Sequence, residues 1–148
     1  MEQLLKTIEL APSFAPAHFD LAFNYWQMGK YEQWLAEWQK GATLAGDANE
    51  LEVAKAAARA YASSGYKGAV RKIIEVRREQ SKRIYVPAIS FAINYAALGE
   101  KDQAFFWLDK AYEERGRGLE LVKIIPEFDG LRSDPRYAAL LKRMGLPP

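Results

Sequence analysis

The chain has 148 residues, of which 49% are apolar and 27% charged, enough for one domain with a sizeable core. Its 21 basic and 19 acidic residues nearly balance at +2, so no nucleic-acid partner is expected. Cysteine is absent and the sole histidine is His18, which excludes disulfides, thiolate metal sites and cysteine catalysis and leaves one imidazole for any base or ligand role.

Charge is unevenly spread: −4 over residues 1–50, +5 over 51–100 and +1 over 101–148. No apolar run nears the roughly 18 residues of a membrane-spanning helix, so no membrane partner is expected. The start, Met1-Glu2-Gln3-Leu4-Leu5-Lys6, has no basic region followed by an apolar stretch, and a cytoplasmic protein is the expectation. Apolar residues at helical spacing predict helices, in chain order, over residues 2–11, 15–28, 31–45, 49–64, 67–81, 85–98, 101–115 and 135–144. The fold class is therefore all-α.

One pattern recurs along these helices: Ala, two residues, Tyr, three residues, Gly. It occurs as Ala22, Tyr25, Gly29, then Ala58, Tyr61, Gly65, then Ala92, Tyr95, Gly99, at offsets of 36 and 34 residues. Each copy sits late in a helix, as Ala88, Phe91, Ala92 and Tyr95 illustrate by falling on one helical stripe. The glycine follows where positive φ commonly ends a helix. A second amphipathic helix then starts, with Trp34 and Trp38, then Ala69, Ile73 and Val76, then Ala104, Leu108 and Ala111. Each unit reads as helix, glycine turn, helix. Trp34 stands where the other copies carry a small alanine. At the end of the chain, Ser133 or Asp134 can cap a last helix with Pro135 in its first turn and Tyr137, Leu140 and Leu141 on its apolar face.

Leu21-Ala22 with Tyr25, and Ala104 with Leu108 and Ala111, resemble the signature of the tetratricopeptide repeat (TPR) family. Thr7-Ile8-Glu9-Leu10-Ala11-Pro12 resembles the end of a preceding repeat. The tail from Ala111 to Leu146 is similar to endings that close TPR arrays in bacterial multidomain regulators and kinases. The resemblance implies a right-handed α-solenoid of antiparallel helix pairs in a single domain over residues 1–148. Its parts are a half-repeat at 1–12, full repeats at 13–47, 48–83 and 84–115, and a helical C-terminal cap at 116–148. The function it implies is non-enzymatic: a cytoplasmic scaffold that binds a protein or peptide segment along its concave groove.

In such arrays the groove is lined at fixed phases from the repeated tyrosine. Those phases hold Phe19, Lys55 and Ile89, then Phe23, Arg59 and Ile93, then Trp26, Ala62 and Ala96. The expected peptide-binding residues are thus Phe19, Phe23, Trp26, Lys55, Arg59, Ile89 and Ile93, and the expected ligand is an apolar segment with an acidic group. Packing of Phe19, Phe23 and Trp26 beneath the preceding half-repeat stands as the alternative. The family's two-carboxylate clamp is not expected, because Phe19 and Phe23 occupy the phases of its lysine and asparagine. A second functional reading is self-association, or an intramolecular regulatory contact in a larger bacterial signalling or transcription-regulatory protein, with a weak homodimer formed through residues 1–12.

Other candidates carry less. The run Arg71, Lys72, Arg77, Arg78, Lys82 and Arg83 reads as a solvated face with local pairs to Glu75 and Glu79, an acidic partner or nucleic acid being the alternative. His18 reads as a packed histidine, since a lone imidazole does not complete a metal shell. Ser63, Ser64 and Ser90 lack an adjacent base, and Glu113, Glu114 and Asp129 lack the burial that carboxylate chemistry needs. Gly116-Arg117-Gly118 reads as a turn, with no strand before it and no Lys-Ser/Thr after it. No catalytic residue, metal or cofactor is expected.

Overall fold

Two of the three tyrosine-glycine pairs, Tyr25 with Gly29 and Tyr95 with Gly99, form a helix ending. The structure, a computed structural model, describes residues 1–115 and 118–147. In it Gly29 has φ 72°, and the next amide, Lys30 N–H, donates back to the Tyr25 carbonyl at 2.8 Å. Gly99 ends its helix in the same way, with Glu100 N–H donating to the Tyr95 carbonyl at 3.0 Å. This closure satisfies carbonyls that the helix end leaves free. Among the described residues every regular element is helical and none is a strand. The chain divides into two compact units, Met1–Gln80 and Ser81–Pro148.

The first unit contains α1 (Glu2–Leu10), α2 (Ala15–Gln27), α3 (Tyr31–Ala45) and α4 (Ala48–Gln80). A straight helix would hold Asn49 and Gln80 roughly 46 Å apart, at about 1.5 Å per residue. Instead the Gln80 amide donates to the Asn49 carbonyl at 2.8 Å and to Glu52 at 3.1 Å. Arg77 reaches Glu50 at 3.2 Å. The end of α4 therefore returns beside its start. The fold-back occurs at Gly65, with φ 69° and ψ −165°, a conformation open essentially to glycine alone. The two arms of α4, residues 48–64 and 66–80, are an antiparallel pair.

Between the α4 arms and α2–α3 lies a core rich in aromatics. Trp34 stacks on Trp38 at 5.6 Å, and Tyr31 stacks on Tyr66 at 4.1 Å. Leu35, Val53, Ala54, Ala57, Ala69 and Ile73 close the space around them. The bulk of Trp34 is thus taken up by Trp38 on its own helix and by Tyr66 from the second arm. Gly41 of α3 leaves room for the Phe19 ring, which lies 3.2 Å from where a β-carbon would sit.

The second unit contains α5 (Ala88–Ala97), α6 (Lys101–Glu113) and α7 (Pro135–Arg143), with 3-10 helices at Leu119–Lys123 and Pro126–Leu131. Helix α5 starts three residues later than the sequence pattern suggests. Pro87 forces the residue before it towards extended backbone, and Tyr85 instead donates its hydroxyl to Glu114 at 2.9 Å. Asp134 caps α7 by accepting from Arg136 N–H at 2.9 Å, and Pro135 opens the helix. The 3-10 segments were not foreseen as separate elements. They place Val122, Ile125, Phe128 and Leu131 in a core completed by Phe91, Phe105, Leu108, Tyr137, Leu140 and Leu141. The expected turn at Gly116 and Arg117 lies outside the described residues; Gly118, with φ 92°, leads into the first 3-10 helix. Among the described residues no helix is long and apolar enough to cross a membrane.

Candidate binding surface

On α2, the aromatic residues expected to bind differ in how far they reach solvent. Phe23 is 47% exposed and sits edge-on to Trp26, with ring centroids 5.7 Å apart. Trp26 is half-buried: its ring lies 6.3 Å from Trp34 and its Nε1–H donates to the Tyr66 hydroxyl at 2.8 Å. That bond spans 40 residues and holds the Trp26 ring from the second arm of α4. Phe19 is half-buried against the core and over Gly41. Phe23 has a free face, and Trp26 is its rigid backing.

Lys55 and Arg59 project from the first arm of α4 and are exposed. Among the described residues neither has a hydrogen bond or an ion pair. Arg77 differs: it makes two hydrogen bonds to Glu50, at 3.2 and 3.4 Å, and lies 6.0 Å over the Trp38 ring. Glu50 also accepts from Trp38 Nε1 at 2.8 Å, so this cation is structural. Lys72 pairs with Glu75 at 2.9 Å, as local spacing suggests. In the other unit Ile89 is 9% exposed and lies close to Gly118, while Ile93 is half-buried.

A shallow cleft of about 420 Å³ opens between α1 and α2. Leu4 and Thr7 form one wall and Asp20, Phe23 and Asn24 the other. Sequence reasoning did not single out Leu4 and Thr7. Their signal is the stripe Leu4, Thr7, Ile8 on α1, whose residues are the half-buried ones of that helix.

The remaining polar candidates are held by neighbours. His18 is buried and bonded to Glu37 and to the Pro12 carbonyl. Glu114 accepts from Tyr85, whose phenol is raised above its ordinary range first by this hydrogen bond and then by burial. Asp129 pairs with Arg132 at 2.8 Å. Hydrogen bonds from the Arg136 side chain and amide hold the Asp134 carboxyl down at about 2. Among the described residues no three His, Cys, Asp or Glu side chains cluster as metal ligands would.

Searches against family models, curated proteins and solved structures found no match to this chain.

Proposed function

We propose that the chain is a non-enzymatic, TPR-like binding module, a right-handed solenoid of helix pairs that takes a protein or peptide segment. The repeat offsets of 36 and 34 residues, and glycine closures back to the repeated tyrosine, support the TPR-like part of this reading. The observation that carries the binding part is Phe23, an exposed aromatic on a rigid Trp26 backing, in a unit whose Lys55 and Arg59 have no acidic partner among the described residues. An apolar anchor fits Phe23, and a carboxylate fits the two free cations, Arg59 by the bidentate contact that lysine does not make. Phe19 and Trp26 support the anchor from below, and Ile89 and Ile93 are the corresponding positions of the second unit. A cytoplasmic location goes with this reading.

The test is a fluorescence titration with short peptides carrying Leu or Phe beside Asp or Glu. Affinity of about micromolar order is expected, since such segments are ordered on docking. Absence of binding across the peptide set, or binding indifferent to both Phe23→Ala and Arg59→Ala, overturns the proposal.

A second reading, self-association through α1, has its own observation: α1 buries no residue and exposes Leu5 and Leu10. Sedimentation equilibrium tests it. A strict monomer at high protein concentration removes it.

A further inference from the structure

His18 is 2% exposed, yet both of its ring nitrogens face oxygen acceptors. Nδ1 lies 2.7 Å from Glu37 Oε2 of α3, and Nε2 lies 2.7 Å from the Pro12 carbonyl in the connector between α1 and α2. A neutral imidazole has one N–H, so it donates to one acceptor and turns a lone pair towards the other. Both contacts are attractive only when the ring and the Glu37 carboxylate together hold one further proton.

We propose that this shared proton is a latch: it fastens the 11–14 connector, and with it α1, to α2 and α3, and its loss as pH rises releases them. Helix α1 depends on such a fastening because it buries no residue and has no side-chain cap. Glu37 is the charged group bonded to the ring, and Lys40 lies behind it, 3.5 Å from Oε1. The other charges on the surrounding elements, Glu2, Lys6 and Glu9 of α1, Asp20 of α2 and Glu32 of α3, are exposed. The sign follows from the geometry. The protonated pair holds both bonds, so α1 is seated at lower pH and loosened at higher pH.

Leu4 and Thr7 of α1 share their cleft with Phe23, so the latch also governs access to that ring. This last step rests on the binding surface proposed above; the latch itself does not.

Amide hydrogen exchange on the free protein tests it, with protection factors corrected for intrinsic rates. The reporters are Ala11, Phe14 and Ala17, whose amides donate to Thr7, Ala11 and Phe14. Measurements are made at about pH 5 and about pH 8.5, where a free imidazole is charged and neutral respectively. Protection is expected to fall roughly tenfold on going to the higher pH, the scale of one charge-assisted hydrogen bond. In Glu37→Gln the new amide donates to Nδ1 while a neutral ring donates to Pro12, so protection should persist at both pH values. Equal protection at the two pH values in the unmodified protein overturns the latch, as does a Glu37→Gln variant that keeps the full pH dependence. Because no ligand is present, failure of the peptide-binding reading does not affect the result.

Discussion

Arg136 of α7 donates to the Asp102 carboxylate of α6 at 2.8 Å, across 34 residues of chain. Arg143 makes the same reach to Asp109, also across 34 residues. Asp102 precedes Asp109 on α6 as Arg136 precedes Arg143 on α7, so the two helices run in the same direction where they meet. The spacing equals the offset between the second and third copies of the Ala-Tyr-Gly pattern. Both arginines also lie over aromatic rings, Arg136 at 4.4 Å from Phe105 and Arg143 at 5.0 Å from Tyr112.

That double engagement separates the two partners in a mutational test. Asp102 is exposed, and an exposed ion pair adds little to stability. Arg136 additionally covers the buried Phe105 and braces the cap residue Asp134. Arg136→Ala should therefore lower the melting temperature clearly more than Asp102→Ala does. Equal effects in thermal unfolding would assign the whole contribution to the ion pair.

The same arginine sets a pH dependence. The Asp134 carboxyl is held at about 2, against an ordinary 3.8, chiefly by hydrogen bonds from Arg136. A depressed carboxyl contributes stability that is fully present above the unfolded value and is lost as pH falls through the folded one. The contribution of Asp134 should thus fade between about 4 and about 2. Thermal melts over that range should show a steeper loss for the unmodified protein than for Asp134→Asn.

Tyr85 offers an alkaline counterpart. Its hydroxyl donates to Glu114, so removing the proton leaves an anion facing a carboxylate, and the phenol is raised. Ultraviolet titration should find a tyrosine that ionises above the ordinary range, and Glu114→Gln should bring it down. A raised group stabilises below its unfolded value, and that contribution is lost as pH rises through the folded one. An unchanged titration curve in Glu114→Gln would remove the assignment.

What the sequence disclosed was local. Tyr25 and Gly29, or Tyr95 and Gly99, lie within one turn of each other, so a helix closure between them is written in adjacent residues. The Asp134-Pro135 start of α7 is legible for the same reason. The bond from Trp26 to Tyr66 crosses 40 residues, and Phe19 fits over Gly41 because a distant glycine lacks a side chain. Neither contact leaves a mark on its own segment. The 3-10 segments between residues 119 and 131 escaped because neither holds two turns of a helical stripe.

Gly65 gives the fold-back a direct test. With φ 69° and ψ −165°, it occupies a region that a side chain strains, although a β-carbon there would meet no neighbour. Gly65→Ala should cost about 1–3 kcal/mol through backbone strain alone. Denaturant unfolding of this variant beside Gly130→Ala, which also has open space but no positive φ, isolates the backbone contribution. A null result at Gly65 would mean that the arms of α4 meet by another turn.

The binding reading makes opposite demands on two arginines of α4. Arg59 is exposed with no partner among the described residues, so Arg59→Ala should leave stability within about 0.5 kcal/mol. The same change should weaken binding of an acidic, apolar peptide by roughly 1–3 kcal/mol, the scale of a charged hydrogen bond. Phe23→Ala should behave likewise, because nearly half of that side chain already faces solvent. Arg77 is bonded twice to Glu50 and lies over Trp38, so Arg77→Ala should lower stability and leave peptide affinity nearly unchanged. Parallel thermal melts and peptide titrations of the three variants separate the roles. If Arg77→Ala abolishes binding in a folded protein while Arg59→Ala does not, the partner lies on the basic second arm of α4, and the Phe23 surface is a packing feature.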